Sequence, residues 1–150
     1  MRIDQTFTIA SPPTEVFAFM VDPRNLARWQ TVKTYVTPVS DGAPRLGYRI
    51  REGTKVGPRE WDQLVEFTEF EPGRALGVTV IEGPPSRGRW TMEPDGGGTL
   101  MHFEGDIKGP PVIGRLLKWM VARQFRGYHE NLRRELERPV LDPRRAGRED

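Results

Sequence analysis

The feature that most constrains the fold is a change of hydrophobic period late in the chain. Residues 31–108 alternate apolar and polar side chains between breaks rich in glycine and proline, which is typical of strands joined by turns. Residues 112–137 instead place apolar side chains every three or four positions, which predicts one long amphipathic helix. A curved antiparallel sheet around such a helix leaves an apolar space between the two, and we expect the functional site there.

The alternation predicts seven strands and two short helices in one α+β domain. Ser11 suits a helix N-cap with Pro12 at the first helical position, which predicts a helix over 14–20. Asp22 and Pro23 repeat this signal and predict a second short helix that ends at Trp29. The predicted strands span residues 2–9, 31–39, 45–53, 59–71, 74–82, 86–93 and 98–107.

Composition narrows the class of protein. The chain has 150 residues, 36% of them hydrophobic, a length that suits one domain with a real core. No apolar run approaches the roughly 20 residues of a membrane-spanning helix, and we expect neither a signal peptide nor a location outside the cytoplasm. The absence of cysteine excludes disulfides, a thiol nucleophile and a zinc–thiolate site. We assign residues 1–138 to the domain and predict a disordered, charged tail over 139–150.

Charge is concentrated in the C-terminal part. Residues 108–150 carry eleven basic and six acidic side chains. The predicted helix has its basic residues opposite the apolar stripe, at Arg115, Lys118, Arg126 and Arg133. Such a face can attract anionic partners, but a solvated outer face is the simpler interpretation. We expect no nucleic-acid partner, because the aromatic residues read as buried and no stacking platform is evident.

Several short motifs, taken in order, resemble the START/Bet v 1-like (SRPBCC) superfamily and within it the polyketide cyclase/dehydrase-like group. Together with the long helix, they extend the resemblance over residues 2–137. The motifs are residues 9–17 (IASPPTEVF), 22–29 (DPRNLARW), 46–48 (LGY), 65–74 (VEFTEFEPGR) and 97–99 (GGT). The resemblance implies a helix-grip fold, in which a curved seven-stranded sheet wraps the C-terminal helix around a pocket. It is poorly specific for function.

Strand parity and helix phase indicate which side chains face that space. Aromatic and methionine side chains among them suit a pliable apolar cavity, although many must also build the core. Trp29 is included because the family's short helices border the pocket mouth. The candidates for ligand contact are Trp29, Tyr48, Ile50, Trp61, Val65, Val78, Val80, Trp90, Met92, Met101, Phe103, Met120, Phe125 and Tyr128.

Candidates for catalysis are few. Tyr35, Tyr48, Tyr128 and His102 are the only plausible proton relays. His102 should face away from the core beside Glu104 unless the strand register slips by one, and His129 should lie on the helix flank. Two widely spaced histidines give no support for a metal site, and we expect no metal and no cofactor.

Acidic residues crowd one predicted strand. Glu60, Asp62 and Glu66 share the face opposite Trp61 and Val65, and we expect them to meet water. Arg49 and Arg51, on the preceding strand, are placed to pair with some of them across the sheet. A solvated face therefore explains these carboxylates better than an enclosed acid/base pair does.

Three classes of function follow, in order of preference. The first is binding or transport of a small hydrophobic ligand, lipid-like, aromatic or polyketide, in the cavity. The alternative is an enzyme of the cyclase, aromatase or dehydratase type that acts in the same cavity. The third is a module whose basic helix meets an anionic surface. The sequence leaves a homodimer open.

Overall fold

The computed structural model describes residues 1–56, 58–108 and 114–137. These residues form a seven-stranded antiparallel sheet, two short α-helices and one long helix. The strands are β1 (Arg2–Ile9), β2 (Lys33–Pro38), β3 (Arg49–Val56), β4 (Arg59–Glu71), β5 (Ala75–Glu82), β6 (Ser86–Asp95) and β7 (Gly98–Ile107). The helices are α1 (Pro13–Val21), α2 (Leu26–Trp29) and α3 (Gly114–Leu136), with a single 3₁₀ turn, Pro23–Asn25, before α2.

Strands β2 to β7 form an antiparallel meander, and β1 pairs with β7 at its far end. The strand order of the sheet is β1-β7-β6-β5-β4-β3-β2, so β1 and β2 form the two edges. All six pairings are antiparallel. This is the predicted helix-grip arrangement, with the short helices between β1 and β2.

Turn chemistry fixes where the strands begin. Gly47 has φ of +82°, a left-handed conformation that glycine adopts without a Cβ clash. The chain therefore turns there, and β3 begins at Arg49 and continues to Val56, later at both ends than the predicted 45–53. The predicted bounds of β1, β4 and β7 are confirmed.

Proline begins both α1 and the 3₁₀ turn that precedes α2. Pro12 occupies the N-cap of α1 and Pro13 the first turn, so the prediction of Ser11 as N-cap is wrong by one residue. The Ser11 hydroxyl instead donates to Glu15 Oε2 at 3.0 Å. The Asp22 cap is confirmed, because its Oδ1 accepts the backbone N–H of Arg24 at 2.9 Å.

The long helix α3 contacts β1 and α2. The buried residues of α3 lie in the C-terminal half of the helix. Tyr128, His129 and Leu132 are buried there, whereas Leu116, Trp119 and Met120 are exposed in its N-terminal half. None of the described helices is long and apolar enough to cross a membrane. The predicted start of this helix at 112 and the predicted disordered tail over 139–150 lie outside the described residues.

The core lies between the inner face of the sheet and the three helices. Met101 and Phe103 of β7 are fully buried, as is Leu132 of α3. A register shift between Phe67 and Glu69 turns Phe70 inward. Its ring packs edge to face against that of Phe17, with ring centroids 4.9 Å apart. This bulge lets two phenylalanines three positions apart share the inner face of one strand.

The outer face carries cross-strand ion pairs, as the strand parity predicts. Arg49 Nε lies 3.1 Å from Glu66 Oε1, and Arg51 bonds Asp62 on the neighbouring strand. Arg89 Nε lies 2.6 Å from Glu69 Oε1. These pairs are exposed, so each contributes little to stability.

Candidate functional site

A cavity of about 430 Å³ lies between the sheet and α3. Side chains of β3, β4, β5 and β6 form one wall, and the N-terminal and central turns of α3 form the other. Met20, Leu26 and Trp29 close the end beside the short helices. Trp61, which is 38% exposed, and the exposed Pro84 mark the rim where the cavity meets the surface. Its volume is within the range of small-molecule sites.

Strand alternation builds the sheet wall. In β3 the residues Ile50, Glu52 and Thr54 point to the cavity, because side chains two positions apart share a face. The same rule places Trp61, Gln63 and Val65 of β4 on that wall. Val78 and Val80 of β5 continue it and, with Leu76 and Trp90, make it mainly apolar.

A polar cluster interrupts this apolar wall. Lys33 Nζ donates to Glu52 Oε1 at 2.6 Å and to Thr54 Oγ1 at 3.0 Å. Gln63 Nε2 donates to the same Glu52 oxygen at 2.7 Å. The Lys33 and Glu52 side chains are each only 6% exposed. We call Lys33, Glu52, Thr54 and Gln63 the wall cluster.

Sheet register assembles the wall cluster. Lys33 of β2 pairs with Thr54 of β3, and Glu52 of β3 pairs with Gln63 of β4. Directly opposed residues on one face have their Cβ atoms within about 5.5 Å, which is close enough for these side chains to bond. All four residues line the cavity. The cluster therefore gives a mainly apolar site one polar, ion-paired position.

The helix wall contributes a second polar position. Gln124 Nε2 donates to Tyr128 Oη at 2.7 Å, and both residues line the cavity. Burial raises the pKa of Tyr128 well above its ordinary value, and the negative charge of Glu52 adds to this effect. Tyr128 therefore keeps its proton, which is available for donation to a group in the cavity. No described residue accepts that hydrogen.

Two tryptophans form the apolar end of the cavity. Trp29 and Trp90 meet edge to face, with ring centroids 5.8 Å apart. Trp90 Nε1 donates to His129 Nε2 at 3.1 Å, and this buried hydrogen bond fixes the orientation of the Trp90 ring. Trp29 Nε1 is buried without a hydrogen-bond partner among the described residues.

His129 is a buried part of the core, and the prediction that it lies on the helix flank is wrong. Its Nδ1 bonds Gln5 Oε1 at 2.9 Å, and its ring stacks on Phe7 with centroids 4.4 Å apart. Because Nε2 accepts from Trp90, the hydrogen resides on Nδ1. Burial lowers the pKa of His129 to about 3, so the ring is neutral at pH 7. Helix phase does not indicate this burial, because Phe7 and Trp90, which cover the ring, come from distant strands.

The predicted ligand-contact residues divide into two groups. Nine of them line the cavity: Trp29, Ile50, Trp61, Val65, Val78, Val80, Trp90, Phe125 and Tyr128. Met92, Met101 and Phe103 are buried beneath it in the core. Tyr48 is buried too but does not line the cavity. Its ring stacks on that of the lining residue Phe67, with centroids 5.9 Å apart.

Met120 is the clearest error in the predicted lining. It is 49% exposed, and Leu117 and Val121 line the cavity in its place. Each helical residue advances by about 100°, so a side chain next to an inward position can point along the flank. The apolar stripe predicted which helical turn borders the cavity, but not which side chains of that turn point into it.

The predicted catalytic residues are not brought together. The Tyr35 hydroxyl bonds Asp62 on the outer face of the sheet. His102 also lies on that face, where Nε2 is 2.7 Å from Asp4 Oδ1, so the register slip that would turn it inward does not occur. Of the four, only Tyr128 lines the cavity.

Asp4, His102 and Glu104 form an exposed group on the outer face. Their ligand-type atoms lie within 4.8 Å of one another. Arg2 lies beside them, with Nη2 3.5 Å from Glu104 Oε1. Neighbouring surface charges account for this arrangement, and it carries no functional argument.

Sequence reasoning missed the wall cluster. The parity that placed Tyr48 and Ile50 inward also places Glu52 and Thr54 there, and Gln63 lies between Trp61 and Val65 on the same face. That signal was present in β3 and β4. Lys33 gave no such signal, because only the pairing of β2 with β3 brings it to Thr54.

Comparison with solved structures supports the fold. A START superfamily protein from Mycobacterium smegmatis is 14% identical with a TM-score of 0.78, and the match covers 91% of this chain and 97% of that one. TTHA0849 from Thermus thermophilus is 19% identical with a TM-score of 0.75 and the same coverage. The Aha1 dimer from Colwellia psychrerythraea is 13% identical with a TM-score of 0.70, covering 92% and 97%.

Sequence comparison gives the family. Comparison with curated protein sequences gives no match. A family model described as polyketide cyclase/dehydrase and lipid transport matches residues 1–137. The chain therefore belongs to the polyketide cyclase/dehydrase and lipid transport family, and its fold is similar to that of the START superfamily protein.

Proposed function

We propose that the protein binds a small hydrophobic molecule in the cavity between the sheet and α3. The observation that carries the proposal is the unfilled volume of about 430 Å³ with mainly apolar walls. Protein interiors are otherwise packed without gaps of this size, because an empty apolar cavity forfeits dispersion contacts. A ligand with an apolar body restores those contacts. The family description, which includes lipid transport, agrees with this proposal.

Two adjacent residues of β5 provide a matched test. Val80 lines the cavity, whereas its neighbour Ile81 is 38% exposed and does not line it. We expect Val80→Phe to fill part of the cavity and to weaken pyrene binding at least tenfold in a fluorescence titration. Ile81→Phe should bind pyrene like the unchanged protein. Equal binding by both variants would place the ligand elsewhere.

A search for the natural ligand complements this test. Native mass spectrometry after mild purification should detect a co-purified apolar molecule. Thermal shift measurements with lipids and polyketides should raise Tm for compounds that fit the cavity. If no member of such panels binds and pyrene fails as well, the proposal is wrong.

An enzyme of the cyclase or dehydratase type is the second candidate. The wall cluster favours it, because a carboxylate and an ammonium group face an enclosed apolar site opposite Tyr128. Glu52 is placed to accept a proton from a bound carbon acid, while Lys33 and Tyr128 donate hydrogen bonds to the developing oxyanion. If the protein is such an enzyme, Glu52→Gln should abolish conversion of a poly-ketone substrate while binding of that substrate persists. Equal turnover by the unchanged protein and by Glu52→Gln would exclude an enzymatic role for Glu52.

The proposal extends to location and assembly. A cytoplasmic location is consistent with the absence of cysteine from the sequence. A homodimer is compatible with the fold, since the similar Aha1 structure is a dimer. Analytical ultracentrifugation at several protein concentrations tests the second point directly.

A further inference from the structure

We propose that the cavity selects an uncharged ligand with a hydroxyl group on an apolar body, and that the wall cluster binds this hydroxyl. The inference rests on the proposed function and adds the chemical class of the ligand. It is carried by the atoms of Lys33, Glu52 and Gln63 that remain unused inside the cavity.

Stability alone does not account for the wall cluster. A buried ion pair loses the hydration of two charges, and apolar side chains of similar size often stabilise a fold equally well. Lys33 and Glu52 are nevertheless enclosed on the wall of an otherwise apolar cavity. What the pair offers that two apolar side chains do not is hydrogen bonding to a group inside that cavity.

The bonds within the cluster leave unused, among other atoms, a donor on Lys33 and an acceptor on Glu52. Glu52 Oε1 accepts from both Lys33 Nζ and Gln63 Nε2, and no described residue donates to Glu52 Oε2. Lys33 Nζ has three hydrogens, of which two are directed to Glu52 and Thr54. A hydroxyl group donates and accepts at the same atom. One hydroxyl oxygen can therefore donate to Glu52 Oε2 and accept from Lys33.

The charge of the cluster excludes ionised ligands. Lys33 and Glu52 neutralise each other, so a ligand carboxylate would lose its hydration beside Glu52 without gaining an unpaired cation. A ligand ammonium would meet Lys33 in the same way. Among the other charged groups of the lining, Arg87 and Lys108 are exposed, and the N-terminal ammonium of Met1 donates to the Ile107 carbonyl at 3.0 Å. An uncharged polar group is the one that the enclosed part of the cavity accepts.

Three probes with one aromatic body test this selection. Pyrene, hydroxypyrene and pyrene carboxylate are titrated into the full-length protein at pH 7, where the phenol is neutral and the carboxylate ionised. We expect hydroxypyrene to bind about fivefold more tightly than pyrene, the ratio that one net hydrogen bond gives. Pyrene carboxylate should bind more weakly than pyrene.

Removal of one charge should reverse the order. Glu52→Gln leaves Lys33 without its counter-charge, so pyrene carboxylate should become the tightest of the three probes. The double variant Lys33→Met with Glu52→Met removes the cluster and should bind pyrene and hydroxypyrene equally. Glu82→Gln is the matched control, because Glu82 is exposed on the outer face, where its Oε2 lies 2.9 Å from Arg51 Nη2. It should keep the original order.

The outcomes separate this inference from the proposed function. Equal affinity of the unchanged protein for pyrene and hydroxypyrene overturns the inference and leaves hydrophobic binding intact. Tighter binding of the carboxylate by the unchanged protein also overturns it. If none of the probes binds, the inference fails, and the proposed function fails with it when no compound of the lipid and polyketide panels binds either. Near-UV circular dichroism shows whether Glu52→Gln folds. If it does not, the double variant Lys33→Met with Glu52→Met tests the inference instead. A preference for hydroxypyrene over pyrene that persists in the double variant would contradict the inference.

Discussion

Two buried polar clusters in this protein use their hydrogen-bonding atoms in opposite ways. Around His129, both ring nitrogens are occupied by Gln5 and Trp90, and Gln5 Nε2 in turn donates to the Ala122 carbonyl at 2.8 Å. The wall cluster bonds internally through one oxygen of Glu52 and faces a cavity. The first cluster is complete without a ligand, whereas the second has atoms to spare. Burial of polar groups therefore does not mark a site unless some of those atoms remain unused beside an open space.

The largest effect should come from breaking the complete cluster. His129→Ala leaves the Trp90 N–H and the Gln5 carbonyl oxygen without partners and opens a space beside Phe7. We expect the free energy of unfolding to fall by about 3–5 kcal/mol, as measured by urea denaturation. His102→Ala, on the exposed outer face, is the control and should cost less than about 1 kcal/mol. Similar losses in the two variants would contradict the distinction between them.

The wall cluster should tolerate a double change better than a single one. Lys33→Met leaves the Glu52 carboxylate buried and unpaired, and we expect a loss of about 2–3 kcal/mol in unfolding free energy. The figure lies below the roughly 3–5 kcal/mol that removal of one partner costs in a fully buried pair, because water can enter the cavity. The double variant Lys33→Met with Glu52→Met should recover most of the loss. A double variant less stable than the single one would show that the pair holds the sheet together.

Acid should destabilise the protein through His129. Its pKa in the folded protein is about 3, below the ordinary 6.5, so only the unfolded chain takes up this proton between those values. The free energy of unfolding should therefore fall as pH falls below 6.5, by about 2 kcal/mol at pH 5. Urea titrations at pH 7, 6 and 5 measure this slope.

Two variants check the assignment of that slope. His129→Gln should remove it, and His102→Gln should retain it. Asp22 and Glu69 also have lowered pKa values, chiefly through hydrogen bonds from Arg24 and Arg89, but their ordinary pKa values of 3.8 and 4.5 place their effect below pH 5, the lowest pH of the titrations. A slope that persists in His129→Gln would assign the effect to another group.

The smallest effect should come from the outer face. Glu69→Gln removes the carboxylate that Arg89 bonds through Nε and Nη2. Both side chains are partly exposed, so we expect a change of less than about 1 kcal/mol that shrinks further in high salt. A loss as large as that of Lys33→Met would remove the contrast between exposed and enclosed ion pairs.

Much of the fold follows from the sequence because hydrophobic period is a local property. Alternation and the turn residues between strands predicted the bounds of β1, β4 and β7, and strand parity predicted that Arg49 and Arg51 pair with carboxylates of β4. Alternation failed where the ladder is irregular, as at Phe70, because a bulge changes strand parity without changing composition. It also gave no rotation for α3, which is why the prediction of Met120 as a lining residue is wrong.

The sequence by itself determined the architecture and the sheet wall of the cavity, since strand parity fixes which side chains share a face. Only the tertiary structure decided which of those side chains remain beside open space. Phe103 and Val78 have similar local patterns, yet the first is packed in the core and the second lines the cavity. The wall cluster likewise joins three strands through their register. Cavity shape and polar pairing depend on contacts between distant segments, and no local period encodes them.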